Sequence, residues 1–122
     1  MFKNAVTDDK ALLDALKGIN PKFGDIVERY SGELWGAPLI DQKTKALVCI
    51  AIDVVNGSLY GAGTPFEAHV DMAIKQGATI AEIEELLLFL CGYAGMNKAA
   101  GGFGRLNEIK AAGKTGLGTP VR

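Results

Sequence analysis

One side chain in this 122-residue chain has an ordinary pKa suited to moving protons near neutral pH, the lone histidine His69. It lies in the stretch DVVNGSLYGAGTPFEAHVDMAIKQG, residues 53–77, which also holds Asp53, Tyr60 and Glu67. A histidine with one carboxylate to orient it and a second nearby is equipment for general acid–base catalysis. Tyr60 and Tyr93 add hydroxyl donors, and Arg105 could hold a substrate carboxylate bidentately. Each residue also has a plainer reading. His69 could be a boundary histidine bonded to a backbone carbonyl, and Glu67 could be fully used as a helix cap. Asp53 could pair with Arg105 or a backbone donor, the tyrosines could pack, and Arg105 could sit in an ion pair. Glu67 and His69 are two apart on a helix, so they do not face each other and could cooperate only through a substrate or across subunits.

Other chemistries fit less well. Gly113-Lys114-Thr115 ends like a phosphate loop, but Glu108 occupies the place of the first glycine and the segment follows a helix. Gly61-Ala62-Gly63 starts like a dinucleotide fingerprint with no strand before it and no third glycine. One histidine without a Glu-x-x-His or His-x-x-x-His arrangement makes a metal site a poor expectation, and no cofactor is expected. Cys49 and Cys91 lie in apolar runs where a reduced thiol behaves as a small hydrophobe.

The elements that must position these residues read as helices. Thr7 with Asp8 and Asp9 is expected to cap a short first helix that ends at Gly18. Asn20-Pro21 caps a second helix, whose apolar face of Phe23, Ile26, Val27, Tyr30 and Leu34 runs to Trp35. Asp41 caps a third, apolar on all sides from Ala46 to Val55 except for Asp53, which falls in the last turn where the helix dipole disfavours a carboxylate. Something must compensate it. Thr64-Pro65-Phe66-Glu67 is a capping box with proline at N1, and Thr79-Ile80-Ala81-Glu82 repeats the box. The helix after Thr79 carries Leu88 and Phe89 on its outer side, as a subunit interface would. Met96 to Ala112 forms a last helix, in which Gly101, Gly102 and Gly104 either weaken the element or let a neighbour approach closely. No strand-type alternation appears, so the expected fold is all-α with about six helices.

Composition bounds the partners. Hydrophobic content of 48% with 22% charged residues describes one globular domain, and a net charge of -1 argues for neither nucleic acid nor an anionic membrane. The longest apolar run, Leu86 to Cys91, falls far short of the roughly 20 residues of a membrane span. MFKNAVTDDK contains no apolar signal region, and a cytoplasmic address is the expectation.

From about Leu39 to Leu106 the chain resembles the carboxymuconolactone decarboxylase family, which includes the alkylhydroperoxidase-D-like proteins. The matching set is the apolar third helix ending at Asn56-Gly57, then His69-Val70 with Ala73, Gly77-Ala78-Thr79, Glu82-Ile83 and Tyr93-Ala94-Gly95. The resemblance implies an all-helical fold assembled as a homo-oligomer, a trimer or a hexamer. Residues 1–38 would be N-terminal helices of the same domain, 39–112 its core, and 113–122 a tail that is flexible or ordered only against a partner.

The resemblance covers two chemistries. The disulfide-reductase branch follows its asparagine-glycine pair with a Cys-x-Tyr-Cys type motif, where this chain has Ser58-Leu59-Tyr60-Gly61. A thiol relay needs an attacking thiolate and a resolving thiol, and neither is present there. His69 also arrives later than that spacing, with an insertion around Ala62 to Pro65. The decarboxylase branch needs no cysteine: it removes CO2 and reprotonates the resulting dienolate, which calls for a proton carrier and stabilisation of an oxyanion. Members often place a glutamate four residues before the histidine, where this chain has Pro65. The expected activity is therefore cofactor-free decarboxylation or isomerisation of a small carboxylated lactone or enolisable acid. His69, Asp53 and Glu67 would be catalytic, and Tyr60, Tyr93 and Arg105 would contact substrate. A peroxidase-type activity and a non-catalytic oligomeric binding protein are the alternatives.

Overall fold

A computed structural model describes residues 1–61 and 65–121. Among the described residues the regular elements are six α-helices: α1 Lys10–Ile19, α2 Pro21–Trp35, α3 Gln42–Asn56, α4 Pro65–Lys75, α5 Ile80–Tyr93 and α6 Met96–Ala112. The all-α expectation holds. An isolated bridge between Lys114 and Pro120 is the one β-type pairing among them.

Most helix starts are set by local side chains. Asn20 accepts from the Phe23 amide at 2.9 Å, Asp41 from the Thr44 amide at 2.7 Å, and Thr79 and Glu82 complete a reciprocal capping box. The first helix departs from expectation. Asp9, not Thr7, is its cap, accepting from the Leu12 amide at 3.2 Å. The Asn4 side chain gathers the amides of Val6 and Thr7 into a turn, which delays the helix by two residues. That helix also runs past Gly18 to Ile19, where Asn20 turns the chain. The box centred on Thr64 lies outside the described residues.

The first two helices form a hairpin that closes tightly at Gly24, where a Cβ would come within 2.6 Å of the Lys17 side chain. The central helix α3 buries Ala46, Ile50, Asp53 and Val54 against α4, α5 and α6. Its opposite face is open, with Val48 and Ile52 each 51% exposed, so the helix is central to the fold on one side only. The α5 helix divides likewise: Ile83 and Leu87 are buried, while Leu88 and Phe89 are exposed. In α6 two of the three glycines serve packing, since a Cβ on Gly102 would meet Leu87 at 3.0 Å and Val54 at 3.1 Å and one on Gly101 would meet Leu59 at 3.3 Å, while Gly104 has open space beside it. The apolar face of α2 is largely unburied: Tyr30 and Leu34 are exposed, and the buried residues of α2 are Gly24, Gly32 and Trp35.

Polar contacts fasten the hairpin to the rest. Gln42 accepts from the Ala5 amide and donates to the Trp35 carbonyl, and Lys45 donates to the carbonyls of Trp35 and Ala37. Deeper down, Lys75 on α4 lies 2.9 Å from Asp9 and 3.0 Å from Asp71, both buried carboxylates. The tail also docks on its own chain. Residues 114–121 turn back, Thr115 donates to Asp71 at 2.6 Å, and Val121 is buried. A hydroxyl facing a buried carboxylate supplies the local reason for that docking, where the sequence reads as a flexible tail or an arm for a partner. Among the described residues no helix is long and apolar enough to cross a membrane.

Candidate functional site

The last turn of α3 and the second turn of α4 meet at the site. Asp53 is drawn inward by the apolar residues around it on α3, and its side chain is 6% exposed. The carboxylate lies 2.5 Å from Nδ1 of His69. An ionised carboxylate can only accept, so Nδ1 carries the proton and donates it, leaving the lone pair of the neutral ring on Nε2. The charge that the α3 sequence left uncompensated is thus answered by the one histidine. His69 is part-buried, and no second partner for its ring is found among the described residues.

The same carboxylate acts on Cys49, one turn earlier on α3. Burial, and then the charge of Asp53, push the Cys49 thiol up from its ordinary pKa. That favours the inert thiol over the thiolate, the reverse of what a reactive cysteine needs. Cys49 and Cys91 are both free.

His69 opens onto a cavity of about 450 Å³ between α1, α2, α4 and the tail. Leu12, Leu16, Phe23, Val27, Trp35 and Met72 supply much of its apolar wall, and Leu117 of the tail closes one side. Polar side chains are few: Ser31, Glu67, His69 and the Trp35 indole. Glu67 and His69 therefore both reach one cavity although they do not pair with each other.

The other expected site residues are placed differently. Glu67 accepts from Arg105 Nη2 at 2.7 Å and from the Gly116 amide at 2.5 Å, so both its oxygens are engaged. Each nitrogen of the Arg105 guanidinium has a protein partner: besides Glu67 it donates from Nε to the Leu59 carbonyl at 2.9 Å and from Nη1 to Glu108 at 3.3 Å. Its guanidinium also lies 5.1 Å from the centre of the Tyr60 ring. Asp53 does not pair with Arg105, the plainer alternative for that carboxylate; its partner is His69. Tyr60 is exposed and donates to Glu108 at 2.8 Å, a hydrogen bond that raises the pKa of its hydroxyl. Tyr93 is 79% exposed and stacks on Phe89 at 4.9 Å between ring centres. Neither tyrosine, nor Arg105, lines the cavity. The structure brings together Asp53, His69 and Glu67, and it adds Trp35, Ser31 and Met72, which sequence reasoning did not single out. Among the described residues no group of three His, Cys, Asp or Glu side chains could hold a metal ion.

Residues 21–108 match the model of the carboxymuconolactone decarboxylase family. The chain belongs to that family. The match starts at α2 and so takes in the cavity wall formed by Phe23 and Trp35 as well as the Asp53–His69 pair. The family chain is also similar to a 4-carboxymuconolactone decarboxylase of Acinetobacter baylyi, 29% identical over 85 residues. That alignment covers 69% of this chain and 60% of the relative. No solved structure matches.

Proposed function

We propose that this member of the carboxymuconolactone decarboxylase family is an acid–base enzyme that decarboxylates or isomerises a small carboxylated lactone or enolisable acid bound in the cavity. The observation that carries this reading is the 2.5 Å contact of His69 Nδ1 with buried Asp53, on a ring that lines an apolar cavity. Family membership and the similarity to a decarboxylase support it.

In the decarboxylating direction the bond from carbon to the carboxyl group breaks and its electron pair passes into the conjugated carbonyl of the substrate. CO2 leaves, and the enolate carbon takes the proton from Nε2 of protonated His69. The neutral ring then regains a proton from solvent. No separate electron sink is required, because the substrate's own carbonyl accepts the pair. Asp53 is a positioning residue. It fixes the tautomer and orientation of the ring and balances the positive charge present when both nitrogens are protonated. In isomerisation the same ring removes a proton from one carbon and returns it to another.

The assembly belongs to the proposal as well. The open apolar faces of α3 and α5, with Val48, Ile52, Leu88 and Phe89, are surfaces for packing copies of the chain into a homo-oligomer.

The test follows CO2 release from a panel of β-keto acids and carboxylated butenolides with wild type and His69→Gln at matched fold and oligomer size. Loss of about 10²–10⁴-fold in the variant is the expected outcome for a general acid–base group. Equal rates in the two proteins would move the chemistry away from His69. Tight binding without turnover in either would favour a binding protein.

A further inference from the structure

The walls of the cavity constrain what can enter it. Among the described residues, no lysine or arginine lines it. Arg105, which reaches the lining residue Glu67, is also held by Glu108 and the Leu59 carbonyl, and Lys75, on the same helix as His69, is held by Asp9 and Asp71. The acidic groups at the His69 end are Glu67, balanced by Arg105, and Asp53, balanced only when His69 is protonated. The local charge is therefore neutral or negative, never positive in excess. A ligand carboxylate placed against the apolar wall would lose its hydration and gain no partner, which is strongly unfavourable. An alkyl or aromatic group placed there would be favourable, through burial against Leu16, Phe23, Val27, Trp35 and Met72.

We propose that the substrate has an apolar body and a single polar reacting end, carries at most one carboxylate, and that this carboxylate is attached at the reacting carbon beside His69. This rests on the acid–base reading and narrows it to a substrate class. A polycarboxylated lactone is excluded by the same lining. A lone carboxylate at the reacting carbon is tolerated because it can meet the protonated form of His69, and its charge then moves into the carbonyl as CO2 leaves. The volume of about 450 Å³ lies toward the small end of ordinary ligand pockets, which suits a ring bearing a short chain.

The chain provides its own reporter, since its single tryptophan, Trp35, lines the cavity and is 8% exposed. Trp35 fluorescence is titrated with 5-pentylfuran-2(5H)-one, a neutral alkyl butenolide, and with the same butenolide ring bearing carboxyl and carboxymethyl groups in place of the pentyl chain. The neutral compound is expected to bind more tightly by at least about tenfold, the ratio that 1.4 kcal/mol represents. Tighter binding of the dicarboxylate, or binding of neither up to millimolar concentration, would overturn the proposal. Ala15→Arg, at an exposed position of α1 that lines the cavity, brings in the missing cation. It should improve binding of the dicarboxylate by about tenfold or more. No improvement in a variant of unchanged melting temperature would mean that the absent cation is not what rejects the dicarboxylate. The two readings fail separately. Binding of the pentyl compound with no proton exchange at its ring carbon would refute acid–base catalysis and leave the ligand class standing. Exchange at the ring carbon of the pentyl compound, together with tighter binding of the dicarboxylate, would do the opposite.

Discussion

Asp53 in the last turn of α3 and His69 in the second turn of α4 share one hydrogen bond of 2.5 Å, and that bond decides which ring nitrogen is available to a ligand. With Nδ1 engaged, Nε2 is the atom left for chemistry. Asp53→Asn keeps the shape of the acceptor but removes its charge. Turnover should fall toward the lower end of the about 10²–10⁴-fold range of acid–base groups, with KM little changed and the pH–rate profile displaced. A profile identical to wild type would reduce Asp53 to a structural residue.

Lys75 is the sole cation placed against Asp9 and Asp71 among the described residues, and both carboxylates are buried. Lys75→Met leaves them uncompensated and should lower stability by about 3–5 kcal/mol, read as a shift in the urea midpoint. A loss below about 1 kcal/mol would show that the carboxylates find other partners or take up protons at little cost.

The same lysine gives a pH signature. Burial works against its charge, but the hydrogen bonds and charges of Asp9 and Asp71 prevail, so its pKa is raised above the ordinary 10.5. The folded state therefore holds this proton more tightly than the unfolded chain. The stabilisation is fully present below pH 10.5 and is lost as pH rises through the folded value. The stability difference between wild type and Lys75→Met should shrink in strongly alkaline solution. A difference constant across that range would contradict the pairing.

Thr115 donates to Asp71 at 2.6 Å with both side chains buried, which ties the tail to α4. Thr115→Val removes the donor and keeps the shape. About 1–3 kcal/mol of stability should be lost, together with faster amide exchange in residues 114–121. Exchange at wild-type rates in that segment would mean that the hydroxyl does not hold it.

Arg105 joins α6 to the Leu59 carbonyl and to Glu67 on α4. Arg105→Gln should lower stability by about 1–3 kcal/mol and change turnover far less than His69→Gln, because the guanidinium faces protein groups and not the cavity. A drop in turnover equal to that of the histidine variant would restore Arg105 as a substrate contact.

What the sequence reveals and what it hides divide along a physical line. The caps at Asn20, Asp41 and Thr79 are legible because each is satisfied within three residues. The cap of α1 is misread because the Asn4 side chain organises the turn ahead of it, a contact that competes with Thr7 for the same stretch. Asp53 is recognisable as a charge in need of a partner and His69 as a proton carrier. Their pairing is a tertiary contact across 16 residues and leaves no local trace. The cavity is hidden for a related reason. Phe23 and Val27 read as part of one apolar helix face, and nothing local shows that the hairpin of α1 and α2 leaves them facing an open space. The tail reads as flexible because its three glycines and one proline show no periodicity, and the carboxylate it docks on lies 44 residues away.

The most direct measurement is the exchange of the ring proton at C5 of 5-pentylfuran-2(5H)-one with deuterium, followed by NMR in heavy water with wild type and His69→Gln. It reads proton transfer to and from carbon without requiring decarboxylation. Catalysed exchange by wild type, lowered about 10²-fold or more in the variant, is the expected result. Exchange at the same rate in both proteins, or at the rate of solvent alone in wild type while Trp35 reports the compound bound, would contradict His69 as the group that moves the proton.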